Sequence, residues 1–246
     1  MSDLFVNVRQ PPTGPTWADL AELDPLAAVL DPGDATGTKN AQIDRIHKWA
    51  LGRATGSLAG RAALDFGCGT GRLTRYLAEQ GADAVGVDAT PEMIDAARLL
   101  SPELRFEHID GRELPFHDGA FDVVLTAYVL QYYVGGNGLD ELAASFARVL
   151  RPGGLLVAIE QVSTSLDRGA DASAYADDLG RPPFGSPSAQ PVRLGTSRVL
   201  SLAQRYRIVR GLPFIPALAA AEARRACRGR LPVGSYVDML FVAQRQ

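Results

Sequence analysis

From residue 62 onward, apolar and polar positions fall into a regular alternation. "AALDFG" is a short apolar run closed by glycine. "TGRLTRYLAEQG" places Leu73, Tyr76 and Leu77 on one helical face before a terminating Gly81. "DAVGVD" predicts a second strand. "TPEMIDAARLL" predicts a helix with Thr90 at the cap, Pro91 at the first helical position and Glu92 in the first turn. "LRFEHID" is a third strand, and "FDVVLTAYVL" a fourth whose unbroken apolarity suits burial on both faces. "LDELAASFARVL" is a helix stopped by "RPGG", and "LLVAIEQV" a fifth strand. Strands alternating with helices predict an α/β fold with a parallel sheet covered on both sides.

The flanks are less regular. Residues 1–36 are punctuated by five prolines around one short apolar helix, "WADLAELDPLAAVL". "AQIDRIHKWALGR" sets Ile43, Ile46 and Ala50 at helical spacing and contains His47. After Val162 the pattern breaks: "STSLDRGADASAYADDLGRPPFGSPSAQP" is polar, holds four prolines and predicts no packed element. A segment of that length inside a compact domain reads as a lid or binding loop. Then "GTSRVLSLAQ" predicts a helix, "RYRIVRGL" a strand, "IPALAAAEARRACRG" a helix and "SYVDMLFVAQR" a final strand.

Composition narrows the function classes. The 246 residues suit one large domain, and 46% hydrophobic with 22% charged residues is ordinary for a globular chain. No apolar stretch reaches membrane-spanning length, and the first residues do not read as a signal peptide, so a cytoplasmic protein without a membrane partner is expected. Cys68 and Cys227 make no disulfide framework, and His47, His108 and His117 show no ligand spacing, so no metal is expected. The net charge is −3, yet Arg193 to Arg230 holds nine arginines against one acid, Glu222. That run is either a solvated face or a basic rim for an anionic substrate or partner. No nucleic-acid module accompanies it, so nucleic acid is not an expected partner.

"LDFGCGTG" sits at the end of the first strand, where parallel sheets bind ligands. Its glycines let backbone N–H groups and the next helix approach a ligand closely. Asp88 ends the following strand, where an acid accepts from both hydroxyls of a ribose. A dinucleotide fingerprint, G-x-G-x-x-G, is not matched, because the third glycine comes one residue early. Asp65 would sit poorly beside a pyrophosphate and suits a ligand with a cationic end.

"LDFGCGTG", "VGVD", "HID", "LPFHDGAFDVV" and "LRPGG", in that order, resemble the class I S-adenosylmethionine-dependent methyltransferases, most closely their small-molecule (methyltransferase-11-like) group. The resemblance covers about residues 60–162. It implies a doubly wound, mostly parallel seven-stranded sheet with helices on both faces and the last strand antiparallel. It also implies an N-terminal helical cover over 1–56, a cofactor-binding domain over 57–246, and substrate caps at about 163–195 and 212–232. The implied cofactor is S-adenosylmethionine. Asp65, Gly67 and Gly69 would lie along its methionine part, with Gly71 allowing close helix packing. Ala89 and Met93 would flank the adenine, Asp110 would accept from its amino group, and Gly111 would leave room there. Ala127 and Tyr128 would border the sulfonium. Cys68 matches a position often held by cysteine and reads as packing.

The expected activity is methyl transfer to an oxygen or nitrogen of a small molecule, such as an acceptor of secondary metabolism with an anionic handle, by a monomer or homodimer. Two other readings stay open: a macromolecule methylase acting on RNA or protein, and a non-catalytic protein that kept the fold. An alcohol acceptor needs a general base. Glu160, at the end of the fifth strand, is the first candidate for a substrate-facing acid or base. Tyr132 and Tyr133, just past the fourth strand, and His47, in the N-terminal helix, are the others.

Overall fold

The computed structural model describes residues 15–110, 113–133, 138–163, 172–205, 214–228 and 236–246. Three helices come first: α1 (Trp17–Ala21), α2 (Pro25–Val29) and α3 (Thr38–Thr55). The single helix expected over 17–30 is thus two. Asp24 starts the second one, its Oδ1 accepting from the N–H groups of Leu26 and Ala27 at 3.0 and 3.2 Å, while Pro25 takes the first helical position.

The alternation follows as predicted. It runs β1 (Ala62–Phe66), α4 (Arg72–Glu79), β2 (Asp83–Asp88), α5 (Pro91–Leu100), β3 (Arg105–His108), β4 (Phe121–Ala127), a 3-10 turn at Leu130–Tyr132, α6 (Leu139–Val149) and β5 (Leu150–Ser163). Then come α7 (Ala172–Leu179), β6 (Ser188–Leu194), α8 (Arg198–Arg205), α9 (Ile215–Arg228) and β7 (Tyr236–Gln244). The seven-stranded sheet has the order β3-β2-β1-β4-β5-β7-β6. Neighbours from β3 to β5 are parallel, and β7 is antiparallel to both β5 and β6.

The segment after Val162 departs from its expected irregularity. It contributes α7 and most of β6. Tyr175 and Leu179 of α7 are buried, and the Tyr175 ring lies 5.3 Å from that of Phe241 on β7. β6 tolerates Pro191 because it is the last strand of the sheet, and the register shifts there. The strand expected over 205–212 lies outside the described residues, except for Arg205, which ends α8.

Apolar side chains alternate to the two faces of the sheet. Val123 and Leu125 of β4 meet Ile43, Ile46 and Leu51 of α3, whereas Val124 packs with Leu142 and Phe146 of α6. Truncating a buried aromatic such as Phe146 costs about 3–5 kcal/mol. These two layers hold the strand ends rigidly, and the strand order reverses between β1 and β4.

Candidate active site

A crevice opens above the carboxyl ends of β1, β2 and β4, at that reversal. After β1 the chain turns through Gly67, Gly69 and Gly71 with φ of 70°, 52° and 76°. A Cβ on Gly69 would lie 2.6 Å from Val29 Cγ1, so the bare backbone lets α2 close down on the loop. A Cβ on Gly71 would lie 2.7 Å from Phe106 Cζ and 3.3 Å from Ala97 Cβ, so its absence lets β3 and α5 reach the start of α4. Cys68 is buried with Ile94, Ala97 and Phe106, and burial pushes its thiol well above the ordinary range.

Asp88 anchors this turn. Its Oδ2 accepts from Gly69 N–H at 2.8 Å and its Oδ1 from Thr90 N–H at 2.9 Å. Burial raises its carboxyl above the usual value, and those two donors pull the other way. Thr90, at the N-cap of α5, makes no side-chain cap hydrogen bond, and Asp88 instead fixes the backbone entering that helix. Asp65 lies buried beneath the loop. Its Oδ2 accepts from Thr74 Oγ1 at 2.7 Å, and burial pushes its carboxyl up to about 6.

The crevice encloses about 720 Å³, partly open to solvent. Of the residues the sequence proposes for cofactor contact, Gly67, Gly69, Asp88, Ala89 and Met93 line it, and Ala127 and Tyr128 form its far wall. Tyr132 and Tyr133 line it too, as do Trp17 of α1 and Val29 of α2. The Trp17 and Tyr132 rings meet edge to face, 6.3 Å apart, so α1 roofs this end. Asp65 and Gly71 stand behind the wall, and Asp110 is exposed next to Ile109, which lines the cavity. Gly111 lies outside the described residues.

Glu160 and His47 are fully buried and line no part of this crevice. Glu160 caps the 3-10 turn. Its Oε1 accepts from Val129 and Leu130 N–H at 3.0 and 2.9 Å, and its Oε2 from Gln131 N–H at 3.3 Å. Burial raises its carboxyl to about 8 against these donors. Glu160 therefore shapes the backbone that carries Tyr132 and Tyr133.

His47 belongs to a buried polar cluster drawn from four elements. Tyr128 Oη donates to Asp238 Oδ2 at 2.8 Å, and Arg193 Nε donates to the same oxygen at 2.6 Å. His47 Nε2 lies 3.2 Å from Tyr128 Oη and 3.4 Å from Asp238 Oδ2. Arg72 Nη2 faces His47 Nδ1 at 3.5 Å, which assigns the imidazole proton to Nε2. Burial and the guanidinium of Arg72 hold the His47 pKa below its usual value, although Asp238 opposes them. Arg193 keeps Asp238 low despite burial, while burial and the Asp238 charge push the Tyr128 phenol well up. The cluster fixes Tyr128 in a backbone conformation rare for its type, with φ of 62°. Arg193 stands out in the sequence only as the first of the nine arginines, and Asp238 not at all. The available signal was an acid inside the apolar run "YVDMLFVA".

Residues 64–158 match the protein family described as "Methyltransferase domain". Those residues carry a methyltransferase domain. A methyltransferase of Synechocystis named as uncharacterized is 35% identical over 101 residues, 41% of this chain and 47% of that protein. A ribosomal protein L11 methyltransferase of Cupriavidus metallidurans is 33% identical over 166 residues, 66% of this chain and 50% of that protein. The chain thus spans about half the length of these two relatives. Among solved structures, the geranyl diphosphate C-methyltransferase of Streptomyces coelicolor superposes with a TM-score of 0.58 at 17% identity, covering 89% of this chain and 88% of that one. That likeness shows the fold. That enzyme is in complex with Mg2+, geranyl diphosphate and S-adenosyl-L-homocysteine. The crevice suits a nucleoside-bearing ligand such as S-adenosylmethionine: its walls are mainly apolar, and an acid sits at a strand end beside bare backbone.

Among the described residues no cluster of three or more His, Cys, Asp or Glu side chains is placed to hold a metal. No helix there is long and apolar enough to cross a membrane.

Proposed function

We propose that this methyltransferase domain moves a methyl group to an oxygen or nitrogen of a small-molecule acceptor. The observation that carries this reading is the roof. Trp17, Tyr132 and Val29 cover the crevice beside Tyr128, so an acceptor reaches the methyl donor within a walled space. Such a space suits a compact acceptor better than a folded macromolecule.

S-adenosylmethionine supplies the methyl group on its sulfonium sulfur. The chain's own residues bind and orient. Asp88 accepts from the ribose hydroxyls while still holding Gly69 and Thr90. Ala89 and Met93 flank the adenine, with Asp110 and Gly111 at its amino edge. Asp65 draws the ammonium end from beneath the glycine turn. Ala127 and Tyr128 border the sulfonium, with Tyr132 and Tyr133 excluding water around the acceptor. Alignment of an in-line displacement contributes up to about 7–11 kcal/mol in favourable systems, so positioning suffices where the acceptor is already a good nucleophile. Glu160 and His47 act through the residues they hold, and neither faces the crevice. The N-terminal helices over 1–56 serve as the cover, and the segments at about 163–195 and 212–232 as acceptor caps.

The second reading, a macromolecular acceptor, draws on the relative named for ribosomal protein L11. Incubating the protein with labelled S-adenosylmethionine and a cell extract separates the two. Label in small molecules is the expected result. Label that disappears on nuclease or protease treatment of the products would favour the macromolecular acceptor.

A further inference from the structure

A second cavity lies on the other side of Tyr128. It encloses about 530 Å³, partly open to solvent, and its lining is mainly polar: Asp31, Lys39, Gln161, Arg193 and Tyr236 join Tyr128 there. Tyr128 is the wall the two cavities share.

Arg193 is the unusual member. Its side chain is only 1% exposed. Nε is committed to Asp238, and Nη2 reaches Tyr236 Oη only at 3.5 Å. Nη1 finds no hydrogen-bond partner among the described residues. A buried guanidinium with an unmatched N–H is costly, and native structures keep such groups where something else satisfies them. With Nε on Asp238, the outer Nη1/Nη2 edge is the part of the guanidinium without a close partner, and such an edge matches two oxygens of a carboxylate or phosphoryl group once one reaches it. Lys39 lines the same cavity in an ion pair with Asp31.

We propose that this cavity holds the acceptor by an oxyanion seated on the outer edge of Arg193, with the rest of the molecule running along Tyr128 toward the first cavity. The proposal rests on the methyl-transfer reading and names its substrate class. Lys39 matches the charge of Asp31, and Arg193 matches that of Asp238 behind it. The attraction therefore comes from the unmatched N–H edge and not from net charge. Tyr128 couples the two sites, because the same Asp238 oxygen receives both its hydroxyl and the Arg193 Nε–H.

The test loads the protein with S-adenosylhomocysteine and titrates it with acetate, benzoate and inorganic phosphate, using acetamide and benzamide as uncharged counterparts, by ligand-observed NMR. The anions are expected to bind about tenfold more tightly than the amides, as charge-assisted pairs do over neutral ones. Comparing benzoate with phosphate tells which oxyanion fits. Arg193→Lys keeps a cation beside Asp238 but loses the fork, and should weaken anion binding by about tenfold. Asp31→Asn keeps an oxygen for the Gly33 N–H and removes a like charge, so it should strengthen anion binding several-fold. Amides binding as well as anions overturns the proposal, as does anion binding that Asp31→Asn fails to strengthen. If Arg193→Lys does not fold, Asp31→Asn and the amide comparison decide. Failure of S-adenosylhomocysteine itself to bind would instead remove the methyl-transfer reading.

Discussion

Asp88 closes β2, whereas Glu160 lies within β5, one residue past its last pair with β4, and their neighbours give the two carboxylates different work. Asp88 faces the crevice with its oxygens on Gly69 and Thr90, so lone pairs remain for a ligand. Asp88→Ala should weaken S-adenosylhomocysteine binding by about 1–3 kcal/mol, measured by calorimetry. Unchanged affinity would take Asp88 out of the ribose role. Glu160 is enclosed and holds three N–H groups of the turn that carries Tyr132. Glu160→Gln keeps a carbonyl acceptor there and loses a base. If Glu160 only positions the turn, the methyl-transfer rate stays within about tenfold of the parent; loss of a general base costs about 10²–10⁴-fold. Asp88 was legible in the sequence because a strand end beside a glycine turn has few other uses for an acid. Glu160 was legible as an acid late in the fifth strand, but its orientation was not, because nothing local shows that the chain after β4 folds back over it.

The long helix α3 joins the sheet to the cover, and His47 is its buried polar contact with β7 and Tyr128. Its pKa lies below 6.5 in the folded chain, so between that lowered value and 6.5 the unfolded chain binds more protons. Stability from this group is therefore present above about pH 6.5 and is lost as pH falls. Asp65 and Glu160, raised to about 6 and 8, act in the opposite sense, losing stability as pH rises. The comparison that isolates the imidazole is therefore between the parent and His47→Gln. From pH 7 to pH 5 the parent's thermal midpoint should shift downward relative to that of His47→Gln, and parallel curves would contradict the assignment. Helical spacing in "AQIDRIHKWALGR" foretold α3, because Ile43, Ile46 and Ala50 repeat on one face. α7 and β6 were missed. Their polar, proline-containing sequences carry weak periodicity, and they become regular by pairing with β7 and burying Tyr175, contacts made with residues far along the chain.

The whole molecule closes its crevice with its own N-terminal helices, whose Leu20 and Ala28 pack on Met93 of α5. Trp17 belongs both to that cover and to the cavity lining, whereas Trp49 lies on α3 beside Arg53. Binding of S-adenosylhomocysteine should therefore change the tryptophan fluorescence, and Trp17→Phe should abolish the change. A signal that survives in Trp17→Phe would place the cover away from the ligand. Local spacing was enough to establish the alternating strands and helices, the glycine turn and Asp88, because periodicity, backbone freedom and strand-end chemistry are properties of neighbouring residues. The Tyr128–Asp238–Arg193–His47 cluster and the polar cavity behind it follow from the sheet order and from the antiparallel register that sets Arg193 opposite Asp238. Buried charges become tolerable only when distant partners arrive together, and that arrival is a property of packing, which no single segment of the chain records.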